Sequence, residues 1–534
     1  MKTTVRIASL SLACVCLLTA VGFLRADEPP LPVGAPTTRP AASEPALPAG
    51  APGEPALPTG APSAGEPALP TGAPSTGDPA LPTGAPSAGE PALPTGAPST
   101  GEPPKPPATG QAPGAVRKPQ PAGTNWLQAM GLSGFLDFRA GIRTQHDPHE
   151  KQASLGEARA QLDFQKTWNK VTFKVVADFL EDPVPDHQEV DLYRGRGWID
   201  LRQANAAFGL TSWLDVKAGR QILTWGTGDL LFINDMFPKD WQAFFIGRDV
   251  EYLKAPSDAV KMSFYSDLAN LDVVYTPRFN ADRYITGERI SYYNSSLGRL
   301  AGRDAVARVD RPDECFQDDE WAARLYKNVQ GYELAAYGYW GFWKSPGGFD
   351  PATARATFPR LSVYGASVRG QVGAGIGNLE AGYYDSRDDR NGDDPFINNS
   401  QFRFLAGYER DLPMIARDLT VGVQYYVELM MQHDQYVQSV RALHAGMPTA
   451  DFARQVLTFR VTKLLMDQNL RLSLFAYYSP TDADAYLRPN VNYKIDDHWS
   501  AEVGGNVFVG QVPHTFFGQF RDNSNVYAAL RYSF

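Results

Sequence analysis

The chain has 534 residues, a formal net charge of −9 at pH 7 and 12% aromatic residues. Its composition changes sharply along its length, which excludes a single ordinary globular domain. Three cysteines occur, and two of them lie within the first 16 residues, so a disulfide-stapled fold is excluded. We expect no cofactor, no metal site and no nucleic-acid partner.

Residues 1–26 have the pattern of a secretory signal peptide. Lys2 and Arg6 precede an apolar run that extends from Ile7 to Leu24, and the small residue Ala26 follows it. No later stretch of about 18 apolar residues occurs, so we expect the exported chain to have no helical membrane anchor.

Residues 27–125 are rich in Pro, Gly and Ala. A twelve-residue phrase repeats through this segment, for example over 66–77 and again from 78 and 90. Each repeat offers too little apolar surface to form a core, so the segment is predicted to be a disordered, partly stiff spacer. It is either an inert linker or a tether that binds peptidoglycan or a periplasmic protein.

Residues 126–534 consist of short segments with a period of two. Across 419–429, for example, Leu419, Val421 and Val423 alternate with smaller or polar residues, which predicts half-apolar β-strands. Eighteen strands are predicted, at 134–145, 156–168, 170–181, 191–203, 213–221, 259–266, 270–278, 320–327, 331–343, 359–371, 377–386, 401–410, 418–430, 453–466, 469–479, 486–495, 498–509 and 525–534.

The connections between these strands alternate in length. They are tight after even-numbered strands and long after most odd-numbered strands, as at 222–258 and 279–319. Short periplasmic turns, long outer loops and an even strand number are typical of an outer-membrane barrel. The fold class is therefore predicted to be all-β, a transmembrane antiparallel β-barrel in outer-membrane lipid of a diderm bacterium. The first and last strands of the barrel are predicted to leave both chain termini in the periplasm, where the proline-rich tail also lies.

Charged residues within the strands are predicted to face the lumen, because a lipid-facing Arg or Lys near the membrane centre costs about 2–4 kcal/mol. The acidic set includes Glu157, Asp163, Asp178, Asp200, Glu428 and Glu502. Basic positions outnumber it, so the lumen is predicted to favour anions; alternatively, these charges pair across the wall. The basic set is Arg159, Lys174, Arg194, Arg196, Arg202, Lys217, Arg403, Arg460, Arg471, Arg488, Lys494 and Arg531.

The last ten residues, 525–534, form the predicted closing strand. Val526, Leu530 and Phe534 fall on the lipid face, with Arg531 on the lumen face. This strand is predicted to pair with 134–145, because closure removes both unsatisfied sheet edges. Its aromatic end, Tyr532 and Phe534, resembles the signal read by the barrel-assembly machinery.

The segment after the fifth predicted strand is rich in aromatic and charged residues and too apolar to be a freely solvated loop. We expect it to fold inward as a constriction, because an 18-stranded barrel otherwise leaves an aqueous channel. Its Gly219-Arg220-Gln221 and Trp225-Gly226 resemble the alginate-export-type porins and related outer-membrane channel families. The resemblance implies a site at Arg220, Gln221, Trp225 and Gly226. Loop position adds Asp229, Asp235, Arg248 and Asp249.

The predicted function is passive or facilitated diffusion of small hydrophilic solutes, with a preference for anions or saccharides, through an outer-membrane porin or channel. No enzyme is predicted, since the seven histidines are scattered and no nucleophile motif accompanies them. The alternative is a structural anchor whose proline-rich tail tethers the outer membrane to the periplasm or cell wall.

Overall fold

The computed structural model describes residues 131–186, 189–443 and 448–534. The predicted signal peptide, the predicted linker and residues 126–130 of the predicted barrel lie outside this part. Within it, eighteen strands form one antiparallel sheet. They are β1 Leu132–Arg143, β2 Ala153–Trp168, β3 Val171–Glu181, β4 Ile199–Thr211, β5 Leu214–Ile222, β6 Pro256–Phe264, β7 Asn270–Thr276, β8 Glu320–Val329, β9 Tyr332–Phe342, β10 Arg360–Val372, β11 Gly375–Ser386, β12 Gln401–Asp411, β13 Leu419–Met430, β14 Ala453–Leu465, β15 Leu470–Ser479, β16 Asp484–Lys494, β17 Trp499–Val509 and β18 Asn525–Ser533.

The sheet closes on itself where β1 meets β18. The register runs from Phe135 opposite Ser533 to Arg143 opposite Asn525. Beyond it, the Gly134 amide donates to the Phe534 carbonyl at 3.2 Å, and the Phe534 amide donates back at 3.0 Å. The predicted all-β barrel of eighteen strands is therefore confirmed, as is the pairing of its first and last strands.

The short connections lie at one end of the barrel and the long ones at the other. The long connections carry two helices, α1 Trp241–Ile246 and α2 His433–Leu443, and the 3-10 helices Val250–Leu253 and Gly518–Asn523. Two small hairpins join Tyr292–Asn294 to Arg299–Ala301 and Gly348–Asp350 to Arg355–Thr357. Within the described ranges, no helix is long and apolar enough to cross a membrane.

The two faces of the wall differ in chemistry. On β1, the outward Phe138 is 58% exposed, whereas the inward Asp137 and Arg139 are buried. Outward aromatic residues cluster near both strand ends, as expected at the two membrane interfaces. Near the long connections they include Trp321, Trp340, Tyr364, Tyr383 and Tyr478, and near the short turns Trp168, Trp213, Tyr332, Tyr493 and Trp499.

The prediction for the fourth strand was wrong by eight residues. Residues 191–198 belong to the preceding connection, which turns at Gly195 and Gly197, both with positive φ. The Asp191 carboxylate accepts from the amides of Tyr193 and Arg194 at 3.0 Å and stabilises this turn. Arg194 and Arg196 therefore lie in an outer connection and not on the barrel wall.

Candidate functional site inside the barrel

The connection between β5 and β6, residues 223–255, lies inside the barrel. Its apolar side chains are shielded from water: Trp225 is 6% exposed, and Ile233 and Trp241 are fully buried. Such burial requires partners on several sides, and the inner barrel wall supplies them. This segment is called the third loop below.

Glu380 on β11 fixes the first half of the third loop. One carboxylate oxygen accepts from the Thr227 amide at 2.7 Å, the Thr227 hydroxyl at 3.0 Å and the Gly228 amide at 3.2 Å. The other accepts from the amide and the side-chain nitrogen of Asn234 at 2.9 and 3.0 Å. Glu380 is 1% exposed and forms no ion pair within the part of the chain that the structure describes. The loop donors therefore take the place of a counter-ion.

Gly226 is required at this point of the loop. Its φ is +84°, and a Cβ atom would lie 3.0 Å from a carboxylate oxygen of Glu380. A side chain would oppose both the backbone conformation and the close approach to the wall. The neighbouring Trp225 packs edge-on against Phe237, with ring centroids 4.9 Å apart.

Further wall residues hold the middle of the loop. The Tyr384 and Tyr477 hydroxyls donate to the carbonyls of Ile233 and Leu230 at 2.5 and 2.8 Å. The Gln424 side chain accepts from the amide of Asp229 and donates to its carbonyl, both at 2.7 Å. These pairs satisfy backbone groups that a buried loop would otherwise leave without partners.

The second half of the loop packs against the opposite wall. Helix α1 begins at Trp241 and places Phe244 and Phe245 against Tyr486 and Phe508, with ring centroids 5.2 to 5.8 Å apart. The loop after α1 is held through its backbone. Arg488 donates to the Arg248 carbonyl at 2.6 Å, and Arg139 donates to the Gly247 carbonyl at 2.7 Å.

Ion pairs between loop and wall involve three of the predicted loop charges. Asp229 meets Arg460 at 3.0 Å, Arg248 meets Glu157 at 2.7 Å, and Asp249 meets Arg531 at 3.6 Å. Asp235 instead stays within the loop, where it pairs with Lys239 at 3.0 Å and accepts from the Thr224 hydroxyl at 2.7 Å.

The inward arginines of the wall are largely engaged. Arg159 and Arg202 stack on the Tyr252 ring of the loop, at 4.3 and 4.6 Å from its centroid. Arg403 pairs with Glu428 at 3.1 Å, and Arg471 shares the inward face of β15 with Tyr477. Most of the predicted basic set therefore supports the loop or pairs across the wall.

Arg220 occupies an unexpected face of the wall. Paired residues of neighbouring strands share a face, and Arg220 lies between Ala204 and Asp258 in the register, with Ala204 opposite the outward Val175. Its guanidinium binds both Asp258 oxygens at 2.7 and 2.6 Å. The expectation of a pore-lining Arg220 was therefore wrong.

Gln221 points inward and is fully buried, and it donates to the Ala259 carbonyl at 2.9 Å. It fixes the end of β5, where Gly219 has a φ of +116° and approaches the Ala204 carbonyl too closely for a Cβ atom. Residues 219–221 therefore set the geometry of the barrel wall at the end of β5, where the third loop begins.

An arginine-rich cavity of about 200 Å³ lies on the outer side of the third loop. It brings together Arg194 and Arg196 from the β3–β4 connection with Arg248 of the loop. Arg283, Arg289 and Arg303 come from the β7–β8 connection. Each of these arginines pairs with a carboxylate, as where Arg196 meets Glu288 at 2.7 Å, and four carboxylates also line the cavity. No group of three or more His, Cys, Asp or Glu able to hold a metal occurs in 131–186, 189–443 or 448–534.

Two carboxylates at the start of the 3-10 helix in the loop, Asp249 at its N-cap and Glu251 within it, respond differently to their surroundings. Burial, and after it the charge of Asp249, raises the pKa of Glu251 to about 7. Burial also opposes ionisation of Asp249, but the guanidinium groups of Arg531 and Arg139 hold its pKa below the ordinary value. Protein atoms surround the Glu251 carboxyl group inside the barrel, although water still reaches its side chain. It is therefore a carboxylate whose charge changes near neutral pH.

Acidification from about pH 8 to about pH 6 is expected to make the lumen more anion-selective, because Glu251 becomes neutral as the pH falls through its raised pKa. The measurement is the zero-current potential across a salt gradient. The Glu251→Gln variant should show, at both pH values, the zero-current potential that the wild-type protein shows at about pH 6. Glu150→Gln, in the β1–β2 connection, removes another carboxylate whose pKa burial raises to about 7 and should keep the Glu251-dependent shift. An unchanged shift in Glu251→Gln contradicts this assignment.

Sequence reasoning missed Glu380 and Glu251. A carboxylate at an inward position of β11 was readable from the alternation, but its contact with residues about 150 positions earlier was not. Glu251 carried no local signal apart from its neighbour Asp249, because its burial and its proximity to Arg531 depend on how the loop enters the barrel.

Solved outer-membrane proteins show a weak likeness to this chain. OccK11 (OpdR) of Pseudomonas aeruginosa is 10% identical, with 75% of this chain and 95% of that chain covered at a TM-score of 0.43. OccD3 (OpdP) of the same organism is 12% identical, with 76% and 91% covered at 0.42. Salmonella typhi OmpF is 10% identical, with 76% and 97% covered at 0.38. The resemblance to alginate-export-type porins stays a prediction. No protein-family model and no curated protein matches the chain.

Proposed function

We propose that this protein is an outer-membrane channel for small hydrophilic solutes, with the third loop as its constriction. The observation that carries the proposal is the anchoring of this loop across the lumen. Glu380 holds its first half, and Arg139 and Arg488 hold its second half from other strands. A loop fixed on several sides of a barrel narrows the water-filled space without closing the wall.

The membrane location is supported by the outer face of the barrel. An apolar band lies between two groups of aromatic residues, and the strand charges are concentrated inside, which suits a barrel surrounded by lipid. With the long connections outside, both ends of the described chain face the periplasm. We propose that Tyr532 and Phe534 are the end recognised by the barrel-assembly machinery of a diderm bacterium.

Anions or saccharides are the proposed solute class. The support for anions is the outer cavity, where six arginines line the approach to the third loop. Their ion pairs moderate the field, and Glu251 places negative charge on the lumen side of the loop. The expected selectivity is therefore a preference and not an exclusion.

Liposome swelling with glucose and glucuronate tests the solute class, because these sugars match in size and differ in charge. We expect both to enter, with glucuronate faster by about two-fold or more because the cavity concentrates anions. Arg194→Gln with Arg196→Gln should reduce this ratio. Equal or slower entry of glucuronate contradicts the anion preference, and entry of neither sugar contradicts the channel itself.

The alternative role as a structural anchor depends on the proline-rich tail, which lies outside the described residues. A tail that binds peptidoglycan or a periplasmic protein is compatible with a channel, so the two roles are not exclusive.

A further inference from the structure

Two arginines stack on one tyrosine at the outer rim of the barrel. Tyr193 belongs to the β3–β4 connection, Arg278 follows the end of β7, and Arg311 lies further along the β7–β8 connection. The guanidinium carbons of Arg278 and Arg311 lie 4.3 and 4.0 Å from the Tyr193 ring centroid. The Tyr193 hydroxyl accepts from the Asn280 side chain at 2.8 Å, which fixes the ring between the two connections.

Within the described part of the chain, these two cations lack counter-ions. Among the residues that the structure describes, neither Arg278 nor Arg311 forms an ion pair, and the Nε atom of each is buried without a hydrogen-bond partner. Other outer arginines differ, since Arg283 meets Asp200 at 2.8 Å and Arg289 meets Asp182 at 2.6 Å. Burial lowers the pKa of Arg311, and the charge of Arg194 acts in the same direction. Like charges held together without a carboxylate are unfavourable unless an anion joins them.

The cluster lies just above the membrane surface. Arg278 is three residues beyond Tyr275, whose ring packs 4.5 Å from that of the outward Trp321. Aromatic residues mark the membrane interface, and three extended residues span about 10 Å. Next to Tyr193 along the chain, the apolar Leu192 side chain is 40% exposed.

The segment next to Tyr193 contacts the outer face of the barrel wall. The outward Arg220 donates to the Leu192 carbonyl at 2.6 Å, so the residue next to Tyr193 lies against the lipid-facing surface. A ligand here meets cationic groups above and apolar side chains below. This order matches a lipid with an anionic headgroup, whereas a solute in the lumen meets only the polar inner face.

We propose that Arg278 and Arg311, aligned by Tyr193, bind a phosphate group on the headgroup of an outer-leaflet lipid. Arginine forms forked, charge-assisted hydrogen bonds to phosphate, and two arginines match the double charge of a phosphate monoester. The lipid chains lie along Leu192. The inference rests on the proposed outer-membrane location but not on channel activity.

Binding of a diphosphorylated lipid A to the purified, delipidated barrel in detergent tests the proposal by native mass spectrometry. The comparison lipid carries the same acyl chains without phosphates, and inorganic phosphate is the soluble probe. Wild-type protein should bind the phosphorylated lipid at least about ten-fold more tightly than the dephosphorylated one. The Arg278→Gln/Arg311→Gln variant should lose this difference. Arg360→Gln removes an exposed outer arginine that pairs with Asp388 at 2.8 Å and should retain it.

Equal binding of both lipids by wild-type protein overturns the proposal, as does an unchanged preference in the double variant. Inorganic phosphate that binds as tightly as the lipid also overturns it, since the site is then one for soluble anions. If the double variant does not form a heat-modifiable barrel, the two-lipid comparison on wild-type protein decides. Conductance recorded from the same preparation separates loss of lipid binding from failure of the channel proposal.

Discussion

Glu380→Gln is expected to raise the single-channel conductance by about two-fold or more, because the third loop loses its main attachment to the wall. A glutamine keeps one acceptor oxygen but places an NH₂ group against donors that now have no partner. Each buried donor left without an acceptor costs about 1–3 kcal/mol. Because Thr227, Gly228 and Asn234 share this one carboxylate, a single substitution affects all three.

The loop should be released while the barrel stays closed. The wall is held by strand pairing that does not involve the Glu380 side chain, so the variant should keep its heat-modifiable mobility on gels. Glu333→Gln is the matched control, because Glu333 faces the lumen on β9 and pairs with Arg324 at 2.5 Å. Planar-bilayer recordings should give that control the wild-type conductance. A Glu380→Gln channel with wild-type conductance and noise rules out a size-limiting role for this attachment.

Phe138→Arg is expected to lower the free energy of unfolding in lipid by about 2–4 kcal/mol, the cost of an arginine on the lipid face near the membrane centre. Phe138 lies in the middle of β1, opposite Ala158 on β2 and Leu530 on β18, and its ring points outward. Denaturant titration of the protein folded into phospholipid vesicles gives the free energy.

Ser473→Arg is the control for the inner face. Ser473 shares the inward face of β15 with Phe475 and Tyr477, and its neighbours are Thr462 and Asn490. An arginine there can reach water in the lumen, so we expect a change of less than about 1 kcal/mol. Equal losses in both variants argue against a lipid-facing surface at Phe138.

The wall of the barrel was largely predictable from the sequence. Alternation with a period of two set the strands, and the contrast between tight and long connections set their direction. The closing strand is a clear example, since its predicted outward residues Val526 and Leu530 are exposed and Arg531 reaches Asp137 at 3.0 Å. Alternation is a property of residues that are neighbours in the sequence, so it can be recognised without knowledge of long-range contacts.

Features that depend on irregular backbone were not predictable. The fourth strand begins at Ile199 because glycine turns at 195 and 197 occupy the preceding segment, although that segment also alternates. The face of Arg220 follows from the register of three strands, and Gly219, with its positive φ, interrupts the regular pleat there. Alternation along one strand predicts neither the start of the fourth strand nor the face on which Arg220 lies.

For the third loop, the inward packing was predictable from the sequence, but the contact partners were not. Its aromatic content indicated that it packs against something, and the barrel lumen is where it lies. Its partners Glu380, Gln424 and Tyr477 are widely separated from it in sequence. Pairings of this kind appear only after the barrel closes around the loop.

Single-channel recording of the purified wild-type protein in planar bilayers tests the central claim most directly. The channel proposal predicts discrete conductance steps on insertion, smaller than those of the Glu380→Gln variant. A folded barrel that inserts and shows no conductance at any voltage contradicts the proposal and leaves a structural role for the protein.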